Sequence, residues 1–99
     1  MIVLDVKFVV KEGCFDQTVA AMNQVAAETL KEAGCAEYRF ALPFRPGEPI
    51  VLFEEWESQE ALNAHFETSH LAAFREEMEE LLSESPTIRR YVVSEAGPL

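Results

Sequence analysis

The chain has 99 residues, which is enough for one domain and one core. Its 18 acidic and 8 basic residues give a formal charge of -10. Only Arg89 and Arg90 are basic neighbours, so the chain lacks the clustered cations that nucleic acid or an anionic membrane surface requires. Apolar content of 48% and charged content of 26% are those of an ordinary globular protein, and the acidity reads as solubility.

Ile2 to Val10 is rich in Val, Ile and Phe and predicts a first strand. Asp5 and Lys7 interrupt it, so it is not expected to act as a signal peptide. No run approaches the roughly 20 apolar residues of a membrane span, and the expected location is cytoplasmic. After Gly13 the period changes to helical. Phe15, Val19, Met22, Ala26, Thr29 and Ala33 form a stripe widened by Val25 and Leu30, with Asp16 as candidate N-cap and Gly34 as the stop. Cys14 and Cys35 fall at opposite ends of this helix. At about 1.5 Å rise per residue they lie roughly 30 Å apart, too far for a disulfide.

Cys35 to Leu42 predicts a second strand, and Pro43, Pro46, Gly47 and Pro49 a turn. Ile50 to Trp56 predicts a third strand, pairing with the second as a hairpin. Ser58 is expected to cap a short helix with Ala61, Leu62 and Phe66 on its apolar face. Thr68 and Ser69 interrupt it, and Ser69 is the candidate cap of a further helix. That helix turns Leu71, Phe74, Met78 and Leu81 inward and Glu76, Glu77, Glu79 and Glu80 outward. Thr87 to Ser94 predicts the last strand, with a tail over 95–99. The order β-α-β-β-α-β, with the second helix broken, predicts an α+β domain of the ferredoxin-like kind, its helices packed on one face of an antiparallel four-stranded sheet.

Both faces of the strands carry apolar residues. Strand 1 sets Ile2, Leu4, Val6 and Phe8 against Val3 and Val9. Strand 3 sets Ile50, Leu52 and Trp56 against Val51 and Phe53, and strand 4 sets Ile88 and Val92 against Tyr91 and Val93. Two helices cover one face. The other is expected to be buried by a second copy of the chain, as a homodimer.

Two segments carry a family resemblance. Ala33-Gly34-Cys35-Ala36-Glu37-Tyr38 resembles the opening of strand 2 in antibiotic biosynthesis monooxygenase (ABM) domains. Phe53-Glu54-Glu55-Trp56-Glu57-Ser58-Gln59-Glu60-Ala61-Leu62-Asn63-Ala64-His65, continued by Thr68-Ser69-His70-Leu71 and Phe74, resembles the central motif of that family. The likeness runs from strand 1 to strand 4. It marks the family without selecting a reaction, because ABM-like domains include cofactor-free monooxygenases, haem-degrading enzymes, an isomerase type and domains without known activity. It implies a dimeric α+β barrel. The positions used by the haem branch fall near Lys7, His65 and Arg75 and match none of its Asn, Trp and His residues, so haem degradation is not expected.

His65 and His70 are the only histidines. His65 lies one turn after Ala61, beside the core face, where a neutral imidazole can take a proton from a phenol. A structural histidine bonded to a carbonyl or carboxylate is the alternative. Glu54 interrupts the apolar row Ile50, Leu52, Trp56 and is expected to orient His65 or to pair with Arg39 or Arg90. Trp56, Phe66, His70, Asn63 and Arg39 complete the candidate pocket, the last two as donors to an anion. No metal is expected: the two histidines are five apart, and nothing in the spacing singles out a third ligand. No cofactor motif is present. The resulting expectation is a cofactor-independent monooxygenase of a small aromatic, phenol or quinol. The alternatives are an isomerase of a small hydroxyketone and a non-catalytic dimeric ligand-binding module.

Overall fold

The computed structural model describes residues 1–99. Its elements run β1 (Ile2–Phe8), α1 (Phe15–Thr29), β2 (Cys35–Ala41), β3 (Ile50–Trp56), α2 (Gln59–Phe66), α3 (Ser69–Leu81) and β4 (Thr87–Val92). The strands form one antiparallel sheet in the order β2-β3-β1-β4. This is the ferredoxin-like α+β fold read from the sequence, with its second helix split in two.

The period-2 rows decide where the core lies. Ile2, Leu4, Val6 and Phe8 of β1 and Ile50, Leu52 and Trp56 of β3 are buried in one cluster with residues of the helices. From α3 come Leu71, Phe74, Met78 and Leu81, as the helical period requires. Helix α1 is rotated from its expected face. Its buried residues are Thr18, Ala21, Met22, Val25 and Thr29, whereas Phe15 and Leu30 are exposed. Thr18 can be buried because its Oγ1 donates to the Cys14 carbonyl at 2.7 Å. Asp16 does not cap this helix. Cys14 holds the N-cap position without a side-chain bond, and Asp16 lies in the first turn, where its charge suits the helix dipole. Both cysteines are free.

Helix α1 stops at Thr29, a turn earlier than its apolar stripe suggests. Bonds from Glu32 N to Thr29 O and from Cys35 N to Glu32 O close a tight turn that ends at Gly34, with φ of +83°. There the chain presses against α2. A β-carbon on Gly34 would stand 2.5 Å from Ala61 Cβ.

The break between α2 and α3 is made by one side chain. Thr68 Oγ1 donates to the His65 carbonyl at 2.7 Å and accepts from Leu71 N at 3.4 Å. Thr68 is therefore the cap of α3, and Ser69 is its first residue. Ser58 caps α2 as expected, accepting from Ala61 N at 3.1 Å.

Strand β4 departs from the expected burial. Ile88 pairs with Val6 and Val92 with Ile2, so both share the core-facing side. β4 is an edge strand, and its core-side residues are left uncovered, Ile88 61% and Val92 72% exposed. On the opposite face Val3, Val51 and Phe53 are half-buried and Tyr91 is exposed. Charged chains lie across this face: Arg39 pairs with Glu37 at 2.7 Å and stacks over Phe53, and Arg89 stacks over Tyr91.

The contact at Gly34 yields a direct test. Gly34→Ala adds both a strained backbone and a clash with Ala61. It should destabilise the fold by about 1–3 kcal/mol, read as a lower midpoint in denaturant with unchanged slope. The double variant with Ala61→Gly should recover part of that loss.

Candidate functional site

A cavity of about 380 Å³ opens between the sheet and the pair α2–α3, closed at one end by residues 82–86. Leu4, Val6 and Leu52 line it from the strands and Phe74 and Met78 from α3. Its polar residues include Glu54, His65, Arg75 and Glu79. An apolar chamber with a few placed polar groups is the usual form of a small-molecule site.

Glu54 is 5% exposed, on the buried face of β3, because the strand period puts it between Leu52 and Trp56. Trp56 Nε1 donates to its Oε1 at 3.0 Å. Burial raises the Glu54 carboxyl to about 7, with the Trp56 hydrogen bond pulling the other way. Near neutral pH it therefore exists in both forms, an acceptor when ionised and a donor when protonated.

His65 is 1% exposed. Its ring lies 4.7 Å from that of Trp56 and 5.6 Å, edge to face, from that of Tyr38. Nδ1 lies 2.7 Å from Glu32 Oε2. Burial lowers the His65 pKa, and the Glu32 hydrogen bond opposes that effect. In the neutral ring the carboxylate selects the tautomer with the proton on Nδ1, so Nε2 carries the lone pair. The one buried side-chain polar atom without a partner is Thr29 Oγ1. His65 Nε2 and Glu54 Oε2 make no protein hydrogen bond and are not sealed off. Both residues line the cavity.

The expected site residues divide accordingly. Glu54, His65 and Phe66 line the cavity. Phe66 is not part of the apolar core face: it is 41% exposed, at the cavity mouth, with the Arg75 guanidinium 5.4 Å above its ring. Trp56 is fully buried behind Glu54 as a hydrogen-bond donor and does not line the cavity. His70 stands outside, with Nε2 2.7 Å from the same Glu32 oxygen. Asn63 and Arg39 are not in the pocket. Asn63 is exposed on α2 and accepts from Gln59, and Arg39 lies on the far face of the sheet. Nor does Glu54 orient His65 or pair with Arg39 or Arg90. Glu32 holds the imidazole, and Arg90 donates to Gln59.

Two residues of this constellation were not legible beforehand as site residues. Glu32 is 33 positions from His65, and no spacing rule links the two. Arg75 lies on α3 one position after the buried Phe74, which places it at the chamber's rim.

With this geometry in hand, the comparisons with known proteins are decisive for the family. Residues 1–77 match the family described as antibiotic biosynthesis monooxygenase. The chain belongs to that family. An uncharacterized Synechocystis protein is 27% identical over 90 residues, covering 91% of this chain and 61% of its own length. An uncharacterized Bacillus subtilis protein is 32% identical over 63 residues, covering 63% of this chain and 59% of its own. The chain thus spans about three-fifths of the length of each curated relative. Among solved structures, a conserved Methanosarcina mazei protein superposes with a TM-score of 0.86 at 26% identity, covering 91% of this chain and 89% of that one. A Mycobacterium tuberculosis protein shares the fold at TM-score 0.90 and 22% identity, covering 98% of each chain. In this ABM chain no helix is long and apolar enough to cross a membrane.

The raised Glu54 pKa has a thermodynamic consequence. Between the ordinary carboxyl value of 4.5 and about 7 the folded state holds a proton that the unfolded state has lost, so stability falls as pH rises through that window. His65 acts in the opposite sense, because its lowered pKa costs stability as pH falls below 6.5. Glu54→Gln should remove the first effect, of the order of 3 kcal/mol. The measurement is the difference in melting temperature between variant and parent, which should widen from pH 4.5 to pH 7 and then level off.

Proposed function

We propose that this ABM chain oxidises a small phenol or quinol with molecular oxygen, without a cofactor, in the cavity beneath α2 and α3. The observation that carries the reading is a buried imidazole, held through Nδ1 by a carboxylate, in the wall of an apolar chamber that also holds a carboxyl titrating near neutrality; in this reading the free Nε2 faces the chamber. Family membership supports monooxygenase-like chemistry or ligand binding at this place in the fold.

The steps follow from the residues. His65 Nε2 takes the phenolic proton, and Glu32 stabilises the imidazolium that forms. Arg75 at the rim and protonated Glu54 offset the phenolate charge. The electron-rich ring passes one electron to O₂. The radical pair combines at a hydrogen-bearing ring carbon, ortho or para to the oxygen, and the peroxide loses water to leave a carbonyl. One oxygen atom enters the product and the other leaves as water, so all electrons come from the substrate. The apolar walls keep bulk water from the intermediates.

An acid and a base facing one chamber also suit an isomerase that moves a proton between neighbouring carbons of a small hydroxyketone. Oxygen uptake separates the readings. With a panel of quinols the first predicts consumption of one O₂ per product, and the second none. His65→Ala should lower turnover by about 10²–10⁴-fold, as loss of a general base does. Glu54→Gln should cost less and flatten the pH profile near 7. A His65→Ala chain that melts far earlier yet turns over normally would make His65 structural.

The same reading includes a homodimer. The open sheet face carries half-buried Val3, Val51 and Phe53 and exposed Tyr91, and β4 adds uncovered Ile88 and Val92. Ile88 also lines the cavity, so a partner seated on β4 would close its mouth. Light scattering at micromolar concentration should give twice the 11.2 kDa chain mass, and Phe53→Asp should shift it toward the monomer.

A further inference from the structure

Behind His65, on the side away from the cavity, three chain segments meet at one point. Glu32 comes from the turn after α1, His65 from the last turn of α2 and His70 from the first turn of α3. Glu32 Oε2 lies 2.7 Å from both His65 Nδ1 and His70 Nε2, and the three atoms lie within 4.8 Å of one another. The His65 side chain is 2% exposed, that of Glu32 14% and that of His70 22%, so the cluster is shielded but reachable past His70. Two imidazole nitrogens thus aim at one position, which a carboxylate oxygen now fills.

We propose that Glu32, His65 and His70 form a binding site for a divalent transition metal ion of the zinc, cobalt or nickel kind, and that its occupancy switches His65 from acceptor to donor in the cavity. Two imidazoles and a carboxylate are ligands that suit these ions. Metal–ligand bonds of about 2.0–2.2 Å in a tetrahedron set ligand atoms roughly 3.3 Å apart. The carboxylate oxygen therefore has to draw back by about half an ångström, and the nitrogens to close on the ion. Glu32 sits in a turn and not inside a helix, and its side chain can make that move. Water completes the coordination on the His70 side.

The position relative to the cavity decides what the ion does. His65 lines the chamber, whereas Glu32 and His70 do not. An ion on the triad is screened from a bound molecule by the imidazole ring, so it is no oxygen-binding centre. Its effect passes through the ring. Without metal, Nδ1–H donates to Glu32 and Nε2 holds the lone pair. With metal, the Nδ1 lone pair binds the ion, the ring proton sits on Nε2, and the chamber meets a donor. The proton moves from one ring nitrogen to the other, and none need leave the neutral ring. The loss of base function rests on the reading of His65 given above; the metal site itself does not.

The test uses the full chain with zinc or cobalt as probe. Calorimetric titration should show one ion per chain, and cobalt should give the visible absorption of a tetrahedral site. Glu32→Gln and His70→Ala should each weaken binding by at least about ten-fold, whereas Cys35→Ser should leave it intact. ¹⁵N imidazole spectra should show the His65 proton moving from Nδ1 to Nε2 on zinc addition, a readout independent of turnover. If quinol turnover is found, zinc should suppress it in the parent and not in His70→Ala. Absence of binding, or binding that survives both ligand variants, overturns the site. Bound zinc with the His65 proton still on Nδ1 overturns the switch.

Discussion

The turn from α1 to β2 lies so close to α2 that no β-carbon fits between them. Gly34 takes a left-handed backbone conformation there and meets Ala61, and its carbonyl accepts from Glu57 N at 2.8 Å. This contact brings together the end of one βα unit and the start of the next. Glu32 lies two residues before it and His65 one turn after Ala61. The carboxylate therefore reaches the imidazole because two small residues allow the backbones to approach. Larger residues at either position would move the two apart, and the tautomer of His65 would lose its determinant.

A second constraint is the economy of buried polarity. Glu54 and His65 both lie within the apolar core, and each is tolerable only because one of its polar atoms has a fixed partner. Trp56 supplies it for Glu54 and Glu32 for His65. Both side chains line the cavity. Burial then moves both groups toward their neutral forms, the carboxyl up and the imidazole down. Acid–base character at neutral pH follows from the same desolvation that would otherwise destabilise the fold.

Thr68 links fold to site in a similar way. By bonding to the His65 carbonyl and capping α3, it ends one helix and starts the next within a single residue. The five-residue interval between the histidines would separate them around a continuous helix, since side chains three or four apart share a face. The break swings His70 back so that both rings face one carboxylate.

The order of elements, the sheet rows of β1 and β3, the inward face of α3 and the pairing of Ser58 with α2 were all legible in the sequence, because they rest on local periodicity and capping chemistry. His65 and Glu54 were legible for the same reason: each is a polar residue on or beside an apolar row. What escaped was partly local chemistry that the apolar stripes do not report, and partly contacts between distant segments. The rotation of α1 depended on a threonine hydroxyl finding a carbonyl one turn back, and the exposure of β4 on how far two helices reach across four strands. Arg39 fell on the wrong face for the pocket because alternation assigns it to the open side. Glu32 had no signal at all, since its partner stands 33 positions away. Sequence by itself determined which side chains could be buried and which elements they build. Tertiary structure alone decided which carboxylate meets which imidazole, because that choice depends on the approach of two turns at Gly34 and Ala61, a distance that no periodicity encodes.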